Sequence, residues 1–109
     1  MQEVTLYHLE REDIKIDVVA RFEGDILIID GYDIGKTVNE YWGDSDYEYV
    51  LRILPPGVDG LSDHFGVPRG DRDQLLLAIQ NAHNGNHCFS QLEDLVSELK
   101  LPHDGYKWT

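Results

Sequence analysis

This 109-residue chain is poor in cysteine and in cations: it has one cysteine, Cys88, and nine lysines and arginines. A lone cysteine closes no internal disulfide, so nothing calls for an oxidising compartment, and a reducing cytoplasm is the expected location. Set against 21 Asp and Glu, the few cations leave a formal charge of −12. A field of that sign repels nucleic-acid phosphates and anionic membrane, so the expected partner is a basic protein surface, with no direct nucleic acid and no membrane. No apolar run approaches the roughly 18 residues of a membrane span. The N-terminal MQEVTLYHLERED is acidic and alternating, without the basic start and apolar stretch of a signal peptide. The length suits one core and is too short for two, so residues 1–109 are expected to form a single domain.

What is present reads as strands first and helices afterwards. Val4, Leu6 and His8 alternate with Thr5, Tyr7 and Leu9, a strand whose two faces are mixed. Ile14, Ile16, Val18, Ala20 and Phe22 recur at period two, with Lys15, Asp17 and Arg21 between them. Glu23-Gly24-Asp25 then turns the chain into Ile26 to Ile29, a run expected to end at Asp30-Gly31. Residues 35–42 predict a short helix or helical turn, and Gly43 to Asp46 a bend. Tyr47, Tyr49, Leu51 and Ile53 form a fourth strand that Pro55-Pro56-Gly57 stops.

Residues 55–70 hold three of the four prolines and four of the ten glycines, and predict an irregular connection with at most one helical turn, near Ser62 to Phe65. Asp71 with Gln74 reads as a capping box opening a helix over Leu75, Ala78, Ile79 and Ala82, which Asn84-Gly85 should stop through a left-handed glycine. Ser90 with Glu93 reads as a second box, opening a helix with the stripe Leu92, Leu95, Val96 and Leu99. Tyr106 and Trp108 at period two suit a short terminal strand or a docked tail. The expected fold is therefore α+β: an antiparallel four-stranded meander, two or three helices packed on one of its faces, and a short C-terminal strand or strip.

Three constellations suggest chemistry. Gly31-Tyr32-Asp33-Ile34-Gly35-Lys36-Thr37 after an apolar strand is one residue short of a phosphate loop, and Asp30 and Asp33 would repel a phosphate, so the two glycines are expected to make a tight turn. Asp44-Ser45-Asp46-Tyr47-Glu48 resembles a calcium loop but has Tyr49 and Pro55 where such a loop needs its glycine and its bidentate glutamate. His83, His87 and Cys88, with His64 as a fourth, are candidate zinc ligands, but Gly85 interrupts the helical spacing that would pair them. A cysteine nucleophile would also need an oxyanion site that the sequence does not display. No catalytic residue, metal or cofactor is assigned.

The remaining signal is on the surface. Residues 1–54 carry five cations against thirteen carboxylates, −8, while the rest carry four against eight, −4. Tyr32, Tyr41, Trp42, Tyr47 and Tyr49 fall within the same acidic stretch. Rings supply anchoring area and carboxylates steer a basic partner, so Asp33, Glu40, Trp42, Asp44, Asp46, Tyr47 and Glu48 form the expected partner-binding set. The opposing consideration is alternation, which puts Tyr47 and Tyr49 on one strand face and Glu48 on the other.

GYDIGKTVNEYWGDSDYEY, the helix LEDLVSELKLP and the aromatic Tyr-Lys-Trp tail together resemble a family of small, acidic, uncharacterised bacterial proteins. Its members carry Gly-x-Asp-Ile/Leu-Gly and Trp-Gly-Asp-Ser-Asp-Tyr-Glu-Tyr segments, and the likeness is good over residues 13–53 and looser elsewhere. Such proteins look similar in size and charge to immunity proteins that neutralise bacterial toxins. The leading expectation is a non-enzymatic, immunity-type binding protein. The alternatives are a nucleic-acid-mimicking inhibitor and a small metal-binding or enzymatic domain using the His and Cys residues.

Overall fold

In the computed structural model, residues 3–12, 14–35 and 46–108 are described, without the side chains of Asp46 and Trp108. Their strands and helices are β1 (Glu3–Glu10), β2 (Ile14–Glu23), β3 (Ile26–Gly35), β4 (Asp46–Ile53), α1 (Pro55–Phe65), α2 (Arg72–Ala82), α3 (Cys88–Glu98) and β5 (His103–Trp108). The sheet order is β1-β2-β3-β4-β5 and every neighbouring pair is antiparallel. The α+β reading therefore holds, with the C-terminal segment as a fifth strand. The predicted helix over 35–42 and the bend at Gly43 lie outside the described residues, apart from Gly35, which ends β3.

A β-bulge explains the mixed pattern of β1. Its register with β2 slips between Thr5 and Tyr7, so that Val4 and Leu6 face the core before the slip and Tyr7 and Leu9 share that face after it. Gln80 of α2 donates a 2.9 Å hydrogen bond to the Thr5 carbonyl at this point. β2 and β3 are joined by a two-residue loop, Gly24-Asp25, in which Gly24 takes a φ of 59° at no steric cost.

β3 does not end at Asp30-Gly31, as the turn-forming residues suggest, but runs on to Gly35, opposite Ile14. Gly31 lies inside the ladder, and the space beside it is filled from the next strand: a Cβ there would sit 1.8 Å from Tyr49 Cε2. Glycine is needed here for close approach, not for a turn. Residues 30–35 are extended and pair with β2 and β4, so no phosphate-cradling loop exists along them.

Residues 55–65 are not irregular either. Pro55 and Pro56 occupy the first helical positions, where a missing N–H costs nothing and a fixed φ helps, so the pair that stops β4 also starts α1. Gly57 and Gly60 let α1 approach the segment before β5, since Cβ atoms there would meet the Pro102 carbonyl at 2.8 Å and Leu101 Cδ2 at 2.4 Å. Gly66, with φ 70°, ends the helix, and Val67 N–H closes back on the Ser62 carbonyl at 3.0 Å.

The Asp71 cap forms as the sequence predicts, accepting hydrogen bonds from the Gln74 backbone N–H at 3.1 Å and its side-chain amide at 2.8 Å. α2 stops at Ala82 without a left-handed glycine; instead the Asn84 side chain donates to the Gln80 carbonyl at 2.9 Å. α3 begins at Cys88, two residues before Ser90, so Ser90 and Glu93 are not its cap. Cys88 and Phe89 join Leu92 and Val96 on its buried face, whereas Leu99 is exposed.

The core lies between the helices and one face of the sheet. Val18, Ala20, Leu27, Ile29, Leu51 and Ile53 meet Leu61, Leu75, Leu76, Ile79, Cys88, Leu92 and Val96 there. Each strand alternates, so the same register assembles the opposite set of residues on the other face. No helix among the described residues is long and apolar enough to cross a membrane.

Candidate functional site

Two buried apolar residues, Ile28 and Val50, stand outside the core cluster. Both lie on the face of the sheet turned away from the helices. In the ladder Ile28 is flanked by Arg21 and Arg52, and Val50 by Asp30 and Tyr106, so among the described residues it is the side chains of neighbouring strands that lie beside them. Register and alternation put Glu3, Glu10, Asp17, Glu23, Asp30, Glu48 and Asp104 on this face, against Lys15, Arg21 and Arg52. Among the described side chains, seven carboxylates thus share one side of the sheet with three permanent cations.

At the centre is an open hollow of about 360 Å³ lined by Glu3, Asp17, Arg21, Asp30, Tyr32 and Glu48. Arg21 forks between two acids, Nη1 donating to Asp30 Oδ2 at 2.7 Å and Nη2 to Glu23 Oε2 at 3.2 Å. Burial opposes its charge, but those two hydrogen bonds prevail and its pKa is raised, so it remains a cation. The second oxygen of Asp30, Oδ1, is buried and has no hydrogen-bond partner among the described residues. At the β1 edge His8 Nδ1 lies 2.5 Å from Asp17 Oδ1, and His8 Nε2 3.6 Å from Glu10. At the other side Arg52 Nη1 reaches both Asp104 oxygens at 3.1 Å. These exposed pairs contribute little to stability, roughly 0–1 kcal/mol each. They do fix where the negative potential lies.

The structure divides the expected partner-binding set. Glu48 is on the face turned away from α1, α2 and α3, opposite Tyr32 in the register and lining the hollow. Asp33 and Tyr47 are on the helix side. There Tyr49 OH donates to Asp33 Oδ1 at 2.8 Å, and the Tyr49 ring lies 5.7 Å from Tyr47 and packs edge-on against Phe89 at 4.8 Å. Burial raises the Asp33 pKa, outweighing the hydrogen bond from Tyr49, and burial followed by the neighbouring carboxylate pushes the Tyr49 phenol upward. Asp46 pairs with Ile34 in the ladder. Glu40, Trp42 and Asp44 lie outside the described residues.

The hollow draws on residues that the aromatic stretch does not contain: Glu3, Asp17, Arg21 and Asp30. Period two marks Asp17 and Arg21 as outward-facing, but only the pairing of β1, β2, β3 and β4 brings the six residues together.

The histidine and cysteine group does not converge. Cys88 is fully buried in the core, and burial raises its pKa, which favours the inert thiol over the thiolate. His83 Nδ1 lies 3.0 Å from Gln91 Oε1, while the Phe65 ring faces both His64 and His83. Among the described residues no group of three His, Cys, Asp or Glu side chains could hold a metal ion. No family model, curated protein or solved structure matches the chain.

Proposed function

We propose that this protein binds a basic surface of another protein through the face of its sheet turned away from α1, α2 and α3. The observation that carries this reading is the asymmetry of that face. Among the described residues, seven carboxylates and three cations share this face with Ile28, Val50 and two tyrosines, Tyr32 and half-exposed Tyr106, and no helix packs over them. Docked lysines and arginines would pair with the carboxylates, the rings would supply contact area, and the field of a −12 molecule would speed encounter. A toxin's nucleic-acid-binding face is a surface of this chemistry. The proposal therefore extends to an immunity-type inhibitor, in line with the resemblance carried by residues 13–53.

The test begins with the full-length protein immobilised as bait, and association rates of the captured partner are then measured at rising ionic strength. The rate should fall steeply with salt, and the charge reversals Asp17→Lys and Glu48→Lys should slow it while Glu98→Lys does not. A rate indifferent to salt, or equal rates for all three variants, would overturn the reading. Competition by DNA for the partner would identify a nucleic-acid mimic.

A further inference from the structure

The two edges of the sheet are not equivalent. On β1 the bulge at Thr5 and Tyr7 breaks the edge, and Gln80 occupies the Thr5 carbonyl. Both features discourage another strand from pairing there. β5 has neither. Its register with β4 runs unbroken from Ile53↔His103 to Glu48↔Trp108, it contains no proline, and among the described residues no strand lies on its outer side. Lys107, the residue best suited to guard such an edge, leans toward α3 while half-exposed, its Nζ 3.8 Å from Glu93 and 6.0 Å from the centre of the Phe89 ring.

Beside this edge runs an open groove of about 400 Å³, walled by Glu93 of α3 and by residues 103–107 of β5, with Leu51 reaching its floor. Gly105 keeps β5 tight against β4, since a Cβ there would meet the Val50 carbonyl at 2.5 Å. An unbroken edge strand beside a helix is the arrangement in which an extended peptide adds to a sheet: its main chain supplies the hydrogen bonds and alternate side chains enter the groove.

We infer that β5 is a strand-addition site, and that its occupant is an extended basic segment of the partner. This inference rests on the proposed docking function. The charge of the molecule selects the occupant: Glu93 and Asp104 line the groove, paired within the chain with Lys107 and Arg52, and the molecule as a whole carries −12. A second copy of the chain, bringing another −12 edge to edge, would be repelled. The six residues of β5 span about 20 Å, room for five or six residues of partner.

The test uses nitrogen-15-labelled full-length protein and three end-capped hexapeptides: alternating lysine and valine, the same peptide with alternate backbone nitrogens methylated, and alternating glutamate and valine. Titration with the lysine peptide should shift the amides of residues 103–108 and of Glu93. Backbone methylation should weaken binding by at least roughly tenfold, because it removes the donors that pair with the edge. The glutamate peptide should not bind, and Glu93→Lys should weaken the lysine peptide while Glu98→Lys leaves it unchanged. Three results would overturn the inference: shifts confined to Asp17, Asp30 and Glu48 with equal affinity for the methylated peptide, no binding of either lysine peptide, or dimerisation through β5 in the absence of peptide. The first leaves the docking face standing and removes only the edge. The docking function itself is judged by the salt dependence of the captured partner.

Discussion

Replacing Gly31 with alanine tests the long-range packing that this fold depends on. The added methyl would fall 1.8 Å from Tyr49 Cε2, 2.3 Å from Cζ and 2.4 Å from Cδ2, inside the space of the ring. Gly31 does not have a positive φ, so the backbone itself tolerates alanine and the whole cost lies in the ring. Tyr49 cannot move freely, because its hydroxyl is bonded to Asp33 at 2.8 Å and its ring is packed against Phe89. Overpacking of this kind costs about 1–3 kcal/mol. Losing a half-exposed hydrogen bond to a carboxylate adds about 1 kcal/mol after solvent screening. The expected loss is therefore about 2–4 kcal/mol, a large part of the roughly 5–15 kcal/mol available to a small domain.

In urea unfolding followed by circular dichroism, that loss lowers the midpoint by roughly 1–3 M. In a Tyr49→Ala background the clash is absent, and the same Gly31→Ala change should fall within about 0.5 kcal/mol of neutral or stabilise slightly by restricting the unfolded chain. Equal costs in the two backgrounds, or a single variant as stable as the parent, would refute the slot and restore the view of Gly31 as an ordinary strand or turn residue.

Two further expectations follow from the same structure. The Asp33 carboxyl titrates higher in the fold than in the unfolded chain, so as pH rises from the ordinary carboxylate range through the native pKa, the unfolded chain releases its proton first and stability falls. Asp33→Asn removes that contribution, and urea midpoints across this range should show the variant gaining on the parent as pH rises; parallel profiles would contradict the assignment. At the helix starts, Asp71→Ala should cost about 1 kcal/mol because it strips a cap that holds Gln74, whereas Ser90→Ala, at an exposed position within α3, should stay within about 0.5 kcal/mol of neutral. Thermal unfolding of the two variants side by side distinguishes a cap in use from one present only as a pattern.

The sequence by itself determined the first four strands, the hairpin at Gly24, the Asp71 cap and the order of strands before helices, and left the C-terminal segment as a strand or a docked tail. These depend on neighbours two to four residues apart, and side-chain alternation or a local hydrogen bond is enough to express them. It also placed Glu48 and Tyr47 on opposite faces, as the structure does.

Only the tertiary structure decided the rest. The glycines and prolines of residues 30–66 carry loop chemistry locally, yet Gly31 is a slot for a ring eighteen residues away and Gly57 and Gly60 are approach points for a segment more than forty residues away. Pro55 and Pro56 end one element and begin the next. The mixed faces of β1 make sense once a bulge and Gln80 are in place, and the acidic face exists because register sets carboxylates from five strands side by side. Local propensity is blind to such pairings, since what fills the space beside a residue is chosen by strands and helices far along the chain.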